Sequence, residues 1–169
     1  MENALRTKTE GWLVRLGSTP VEMDDPQTDW HLRFDYPAKS PHMMHAAQPK
    51  GQPDMVVLLS GLDVAHSHLK RFEELDQDSQ ETFLLDLKKT LTHDSHDFKF
   101  EGVENERDCP KKIIIQCTRY EDGLSLDSFA RSVSAVFKGF LRAILVTRSH
   151  LQGNGPGNAD RFDFKKLGI

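Results

Sequence analysis

The sequence predicts an α+β fold, a two-layer sandwich in which helices cover one face of an antiparallel five-stranded sheet. Three observations carry that prediction. A run from Ser125 to Leu151 repeats apolar residues at three- and four-residue steps, the spacing of a broad helical face that needs a surface to cover. Upstream, several segments alternate apolar and polar residues, as strands with one covered face do. Short turn clusters join successive strands, which favours antiparallel pairing with the helices on one side. The expected order is α-βββ-α(α)-ββ-α.

Asn3 to Leu16 places Leu5, Trp12, Leu13 and Leu16 on one helical face and leaves Arg6, Lys8, Glu10 and Arg15 for solvent. Gly11 weakens this helix by about 1 kcal/mol relative to alanine, so packing has to hold it, and Gly17 supplies the C-terminal cap. Turn residues Asp24, Asp25 and Pro26 precede the clearest strand, Thr28 to Tyr36. There Trp30, Leu32, Phe34 and Tyr36 share the covered side, and His31, Arg33 and Asp35 the wet side. Pro37 to Pro41 ends that strand. His42 to Gln48 forms the next, with its faces left open because Met43 and Met44 point opposite ways. After the hairpin loop Pro49 to Pro53, Met55 to Leu59 is apolar throughout. Such a strand is covered on both faces, either as a central strand or because its outer face meets a second subunit.

Gly61 to Ser95 reads as mainly helical, with Leu69, Phe72 and Leu75 on one turn set and Phe83, Leu84, Leu87 and Leu91 on the next. The polar stretch Asp76 to Ser79 interrupts it, and Asp78 followed by Glu81 resembles a capping box. Two helices, or one broken helix, are expected. Asp97 to Val103 and Lys111 to Arg119 complete the sheet. Glu121 to Gly123 turns the chain into the final helix, with Ser125 as N-cap and Asp127 at the positive end of the dipole. Residues 1–152 form a single domain. Gly153 to Asn158 reads as a flexible linker, followed by a tail to Ile169.

Composition bounds the function. The 169 residues are 37% hydrophobic and 28% charged, ordinary for one folded domain. A net charge of −4 offers no general attraction to a phosphate backbone, so nucleic acid is not the expected partner. No apolar run approaches the roughly 20 residues of a bilayer span, and Met1 to Glu10 is polar, which makes the cytoplasm the default location. Two cysteines, Cys109 and Cys117, do not complete a structural zinc site, and in a reducing compartment they stay free thiols, Cys117 buried.

Eight histidines raise the question of a metal. Only His93 and His96, with Asp94 and Asp97, cluster locally, and solvated loop histidines at a helix end explain them. No metal or cofactor is expected. His31, Arg33 and Asp35 form a possible ligand face, although alternation alone produces such a solvated row. The segment Asp63 to Asp97 holds nine acidic and four basic residues, whereas Ser128 to Gly153 holds four basic residues and no acid. Arg131, Lys138 and Arg142 share a stripe on the final helix, suited to an acidic protein surface. Phe162 and Phe164 alternate with Asp163 in the tail like a strand able to add to a sheet edge. Val56 and Leu58, if uncovered within the monomer, are the expected contact surface. Neither a nucleophile elbow nor a phosphate loop is present.

The strings HAAQPKGQPDMVVLLSG, HLKRF, FLLDLKKTL and YEDGLSLDSFARSVSAVFKGFL resemble a family of small, uncharacterised, mostly archaeal proteins catalogued as a domain of unknown function. The likeness spans about Gly11 to Leu151. That family's element order is similar to that of the type III secretion chaperones and related regulators, small binding proteins that are often homodimers with no chemistry of their own. The resemblance therefore implies a chaperone-like fold and supplies no catalytic residues. The expected function is a non-enzymatic protein- or peptide-binding module, chaperone-like or a regulatory adaptor, acting as a homodimer. A small-molecule sensor using the His31 face, and an enzyme of unrecognised type, are the alternatives.

Overall fold

A computed structural model describes residues 3–152. Asn3 caps α1 (Ala4–Arg15), its side-chain oxygen accepting the backbone N–H groups of Leu5 and Arg6 that a helix start otherwise leaves unmet. Gly17 ends the helix with a φ of 80°, which lets the Ser18 N–H reach back to the Leu13 carbonyl, the closure that glycine favours. Next comes β1 (Val21–Glu22), paired with Arg33 and Leu32. The sheet thus has six strands where alternation predicts five, because two residues are too few to display a period.

The chain continues through β2 (Thr28–Tyr36), β3 (His42–Pro49), β4 (Met55–Asp63), α2 (His66–Glu73), α3 (Gln77–Leu91), β5 (Asp97–Glu101), β6 (Lys112–Tyr120) and α4 (Leu126–Leu151). Strand β4 runs on from Leu59 to Asp63, into a stretch expected to be helical, because β6 pairs with it from Met55↔Tyr120 to Asp63↔Lys112. Between α2 and α3 the cap is Asp76 and not Asp78: the Asp76 carboxylate accepts the Ser79 N–H at 2.9 Å. Asp78 instead sits in the first turn, where its charge suits the helix dipole.

Strand order is β1-β2-β3-β4-β6-β5, antiparallel throughout. Helix α4 lies across β4 and β6, α3 packs along it, and α1 and α2 touch it. This is the two-layer α+β sandwich. Ser125 and Ser128 cap α4 reciprocally, each hydroxyl accepting the other's backbone N–H. One continuous core joins Phe129, Val133 and Val136 of α4 to Leu32, Phe34, Leu58, Ile113 and Ile115 of the sheet. Burying each such side chain contributes roughly 1.5–3 kcal/mol. On β3, Met44, Ala46 and Gln48 turn inward, while Met43 is 56% exposed on the other side. Cys117 is buried, as strand parity predicts, and Cys109 half-buried; both are free thiols. Burial, and then the charge of Glu73, pushes the Cys109 thiol up to about 12, so it is no reactive thiolate at neutral pH.

Candidate functional site

Among the described residues, the helices form one layer and none covers the opposite face of the sheet. Its residues follow from strand parity: Arg33 and Asp35 on β2, Met43 and His45 on β3, Val57 and Leu59 on β4, Ile114 and Gln116 on β6, Lys99 on β5. The middle strands carry apolar side chains there, half-buried at Val57, Leu59 and Ile114. Tyr120, opposite Met55, is 53% exposed. Val56 and Leu58, the contact residues expected if uncovered, are fully buried beneath the helices. The apolar run on β4 serves both faces, and the outward set is the one of opposite parity.

His31, Arg33 and Asp35 share the open side, but they do not converge. His31 turns to a cross-strand neighbour, with Nε2 2.9 Å from Nδ1 of His45. Asp25 Oδ2 lies 3.2 Å from His31 Nδ1, close enough for an ion pair yet out of line for a hydrogen bond. Arg33 and Asp35 point to solvent. Burial, and then the nearby charges of His31, Arg33 and Lys112, holds the His45 imidazole below its ordinary value of 6.5.

The basic stripe fares differently. Arg131, Lys138 and Arg142 line a cleft of about 260 Å³ whose other wall is the turn between α3 and β5. Thr92 ends α3, and His93 and His96 then pair across a tight turn. The Ser95 N–H donates to His93 Nδ1, and the two rings stack with centroids 5.5 Å apart. His96 is only 6% exposed, and among the described residues its Nε2 has no hydrogen-bond partner. Gly139 explains how the ring fits: a Cβ at that position would lie 2.9 Å from His96 Nε2. Burial, and then His93 and Arg142, lowers the His96 pKa from 6.5. Arg131 pairs with Asp127 one turn earlier. Among the described residues, Lys138 and Arg142 form no ion pair, and no acidic side chain lines the cleft.

Sequence spacing finds the stripe and, separately, the His93 and His96 pair, but not that the two face each other, because they lie far apart in the chain. Their shared signal is only that His93 and His96 end the helix that packs on α4. Phe162 and Phe164 lie outside the described residues. Among the described residues, no group of three or more His, Cys, Asp or Glu side chains gathers as a metal site, and no helix is long and apolar enough to cross a membrane.

An antiparallel sheet roofed on one side by helices, with a cationic cleft at the rim of the roof, defines a two-layer α+β domain. The chain belongs to the family described as "Uncharacterized conserved protein (DUF2299)", whose model matches residues 5–147. A crystal structure of an uncharacterized protein from Methanothermobacter thermautotrophicus is similar at 22% identity, with a TM-score of 0.76 over 86% of this chain and 98% of that one. That likeness concerns the fold. No curated protein matches the chain. The chaperone part of the resemblance rests on element order alone.

Proposed function

We propose that the protein is a non-enzymatic binding module, a chaperone-like or regulatory adaptor of the cytoplasm. Its working unit is a homodimer joined through the open sheet face. One observation carries this reading: Val57, Leu59 and Ile114 occupy outward positions on the central strands, where a solvated antiparallel face calls for polar residues. Charged side chains sit mostly towards the two sheet margins, Arg33 and Asp35 on one and Lys99 and Glu101 on the other, with Lys112 of β6 crossing the face beside Gly61 at one end of the apolar centre. An apolar centre within a polar rim is interface anatomy. Because the rim carries both signs of charge, a two-fold-related copy meets the same patch without like-charge conflict. Among the described residues, strand β5 pairs only with β6 at one margin of the sheet, which leaves an edge for a peptide ligand to extend.

Molecular mass in solution tests this reading. The wild-type chain is expected to have twice the monomer mass at micromolar concentration. The pair Val57→Thr and Leu59→Lys should halve that mass while helical circular dichroism stays unchanged. A wild-type monomer, or a dimer that survives both substitutions, would refute it.

A small-molecule sensor is the second reading, and the histidine-walled cleft favours it. Ligand-dependent thermal stabilisation would distinguish a sensor from a module that only assembles.

A further inference from the structure

We propose that the cleft between the His93–His96 turn and α4 is a phosphate site, one that holds the phosphate group of a small ligand. Four features of the cleft support this assignment, and none depends on the dimer reading.

Its charge is of one sign. Arg131, Lys138 and Arg142 line it together with two imidazoles, and no described lining side chain is acidic. Asp127 partly offsets Arg131, which leaves Lys138 and Arg142 to balance an incoming dianion. Guanidinium and ammonium donors on one regular helix match the several acceptor oxygens of a phosphate better than the two of a carboxylate.

Buried at the cleft is an unmet polar atom. His96 Nε2 is shielded from solvent and has no partner among the described residues, and a buried polar atom without a partner needs an explanation. That nitrogen faces Gly139 of α4, so an anion in the cleft acts on the ring through charge, favouring the protonated imidazole. Size limits the ligand as well. At about 260 Å³ the cleft falls below the ~300–1,000 Å³ of sites that enclose a drug-sized molecule, so it takes a head group while the remainder projects into solvent. Finally, no Phe, Tyr or Trp among the described residues lines it, so they supply no platform on which nucleic-acid bases stack.

Calorimetric titration of the full chain at fixed ionic strength tests the assignment, with inorganic phosphate, glycerol phosphate and acetate as probes. Saturable phosphate binding is expected, with half-saturation at ~1 mM or tighter, and the His96 ring resonances should shift with the same midpoint. Tighter binding of glycerol phosphate identifies an ester as the source, and tighter inorganic phosphate identifies the free ion; both support the site. The pair Lys138→Gln and Arg142→Gln should weaken binding roughly tenfold or more, with helical circular dichroism unchanged. Arg148→Gln, on the same helix beside a separate hollow, should leave it unaltered. The proposal fails if phosphate does not saturate, if acetate binds as tightly, if the double variant binds as the wild type does, or if His96 does not respond. Solution mass plays no part in these readouts, so a failure here leaves the dimer reading standing, and the reverse holds.

Discussion

His42, His45, His68 and His96 all have pKa values below their ordinary 6.5, each with burial as the leading cause. The folded protein therefore keeps these rings neutral at a pH where the unfolded chain protonates them. The unfolded state binds more protons below 6.5, so stability is complete above that value and falls as pH descends towards the folded values. The melting temperature should accordingly drop between pH 7.5 and 5.5, and His45→Gln should flatten the drop. An unchanged melting temperature would contradict this account. Asp76 and Asp108 titrate in a separate, lower window: backbone N–H donors hold both below 3.8, so their contribution is lost only in stronger acid. Parity shows how far residues could be read from the sequence. Trp30, Leu32 and Phe34 declared their inward side through polar neighbours, but β4 has apolar side chains on both faces, and no alternation separates Val56 from Val57.

Two helical glycines should respond to an added methyl group with opposite signs. A Cβ at Gly11 of α1 would meet nothing within 4 Å, and the residue is exposed, so Gly11→Ala should raise stability by up to about 1 kcal/mol through helix propensity. Gly139 in α4 is buried, and its added carbon would meet both His96 Nε2 and Ile115 Cγ2 at 2.9 Å. There overpacking costs about 1–3 kcal/mol and exceeds the propensity gain. Chemical denaturation of the two alanine variants should displace the midpoint in opposite directions, and a shared direction would count against the packing described. Helix α4 was the most legible element, because Ser125, Asp127 and a long apolar stripe agree on its start and face. Strand β1 was not legible, since its pairing with β2 comes from register and not from pattern. The cationic stripe lies between these cases: its spacing is local, whereas the His93–His96 wall facing it is brought there by tertiary packing.

For the whole molecule, the charge imbalance in the sequence acquires a partly internal partner. The acidic segment contains α3, which packs along the basic α4, and His150 Nε2 meets Asp86 Oδ2 at 3.0 Å between them. Fold class and element order were readable because binary patterning and turn chemistry agree across the chain. Strand order was not, since the sequence does not say that β6 inserts between β4 and β5. That insertion governs assembly. The β4–β6 ladder unites residues that the chain separates by α2, α3 and β5, and such closure costs entropy before packing returns it. Strands β2, β3 and β4 are near neighbours that can zip early, yet Val56 and Leu58 stay bare until β6 and α4 arrive. Refolding yield from denaturant should fall as protein concentration rises, through association of that half-made sheet; a yield independent of concentration would argue for another order. During synthesis the same geometry leaves the β2–β4 meander unroofed until β6 and α4 emerge from the ribosome, and throughout that interval its apolar side is open to neighbouring chains.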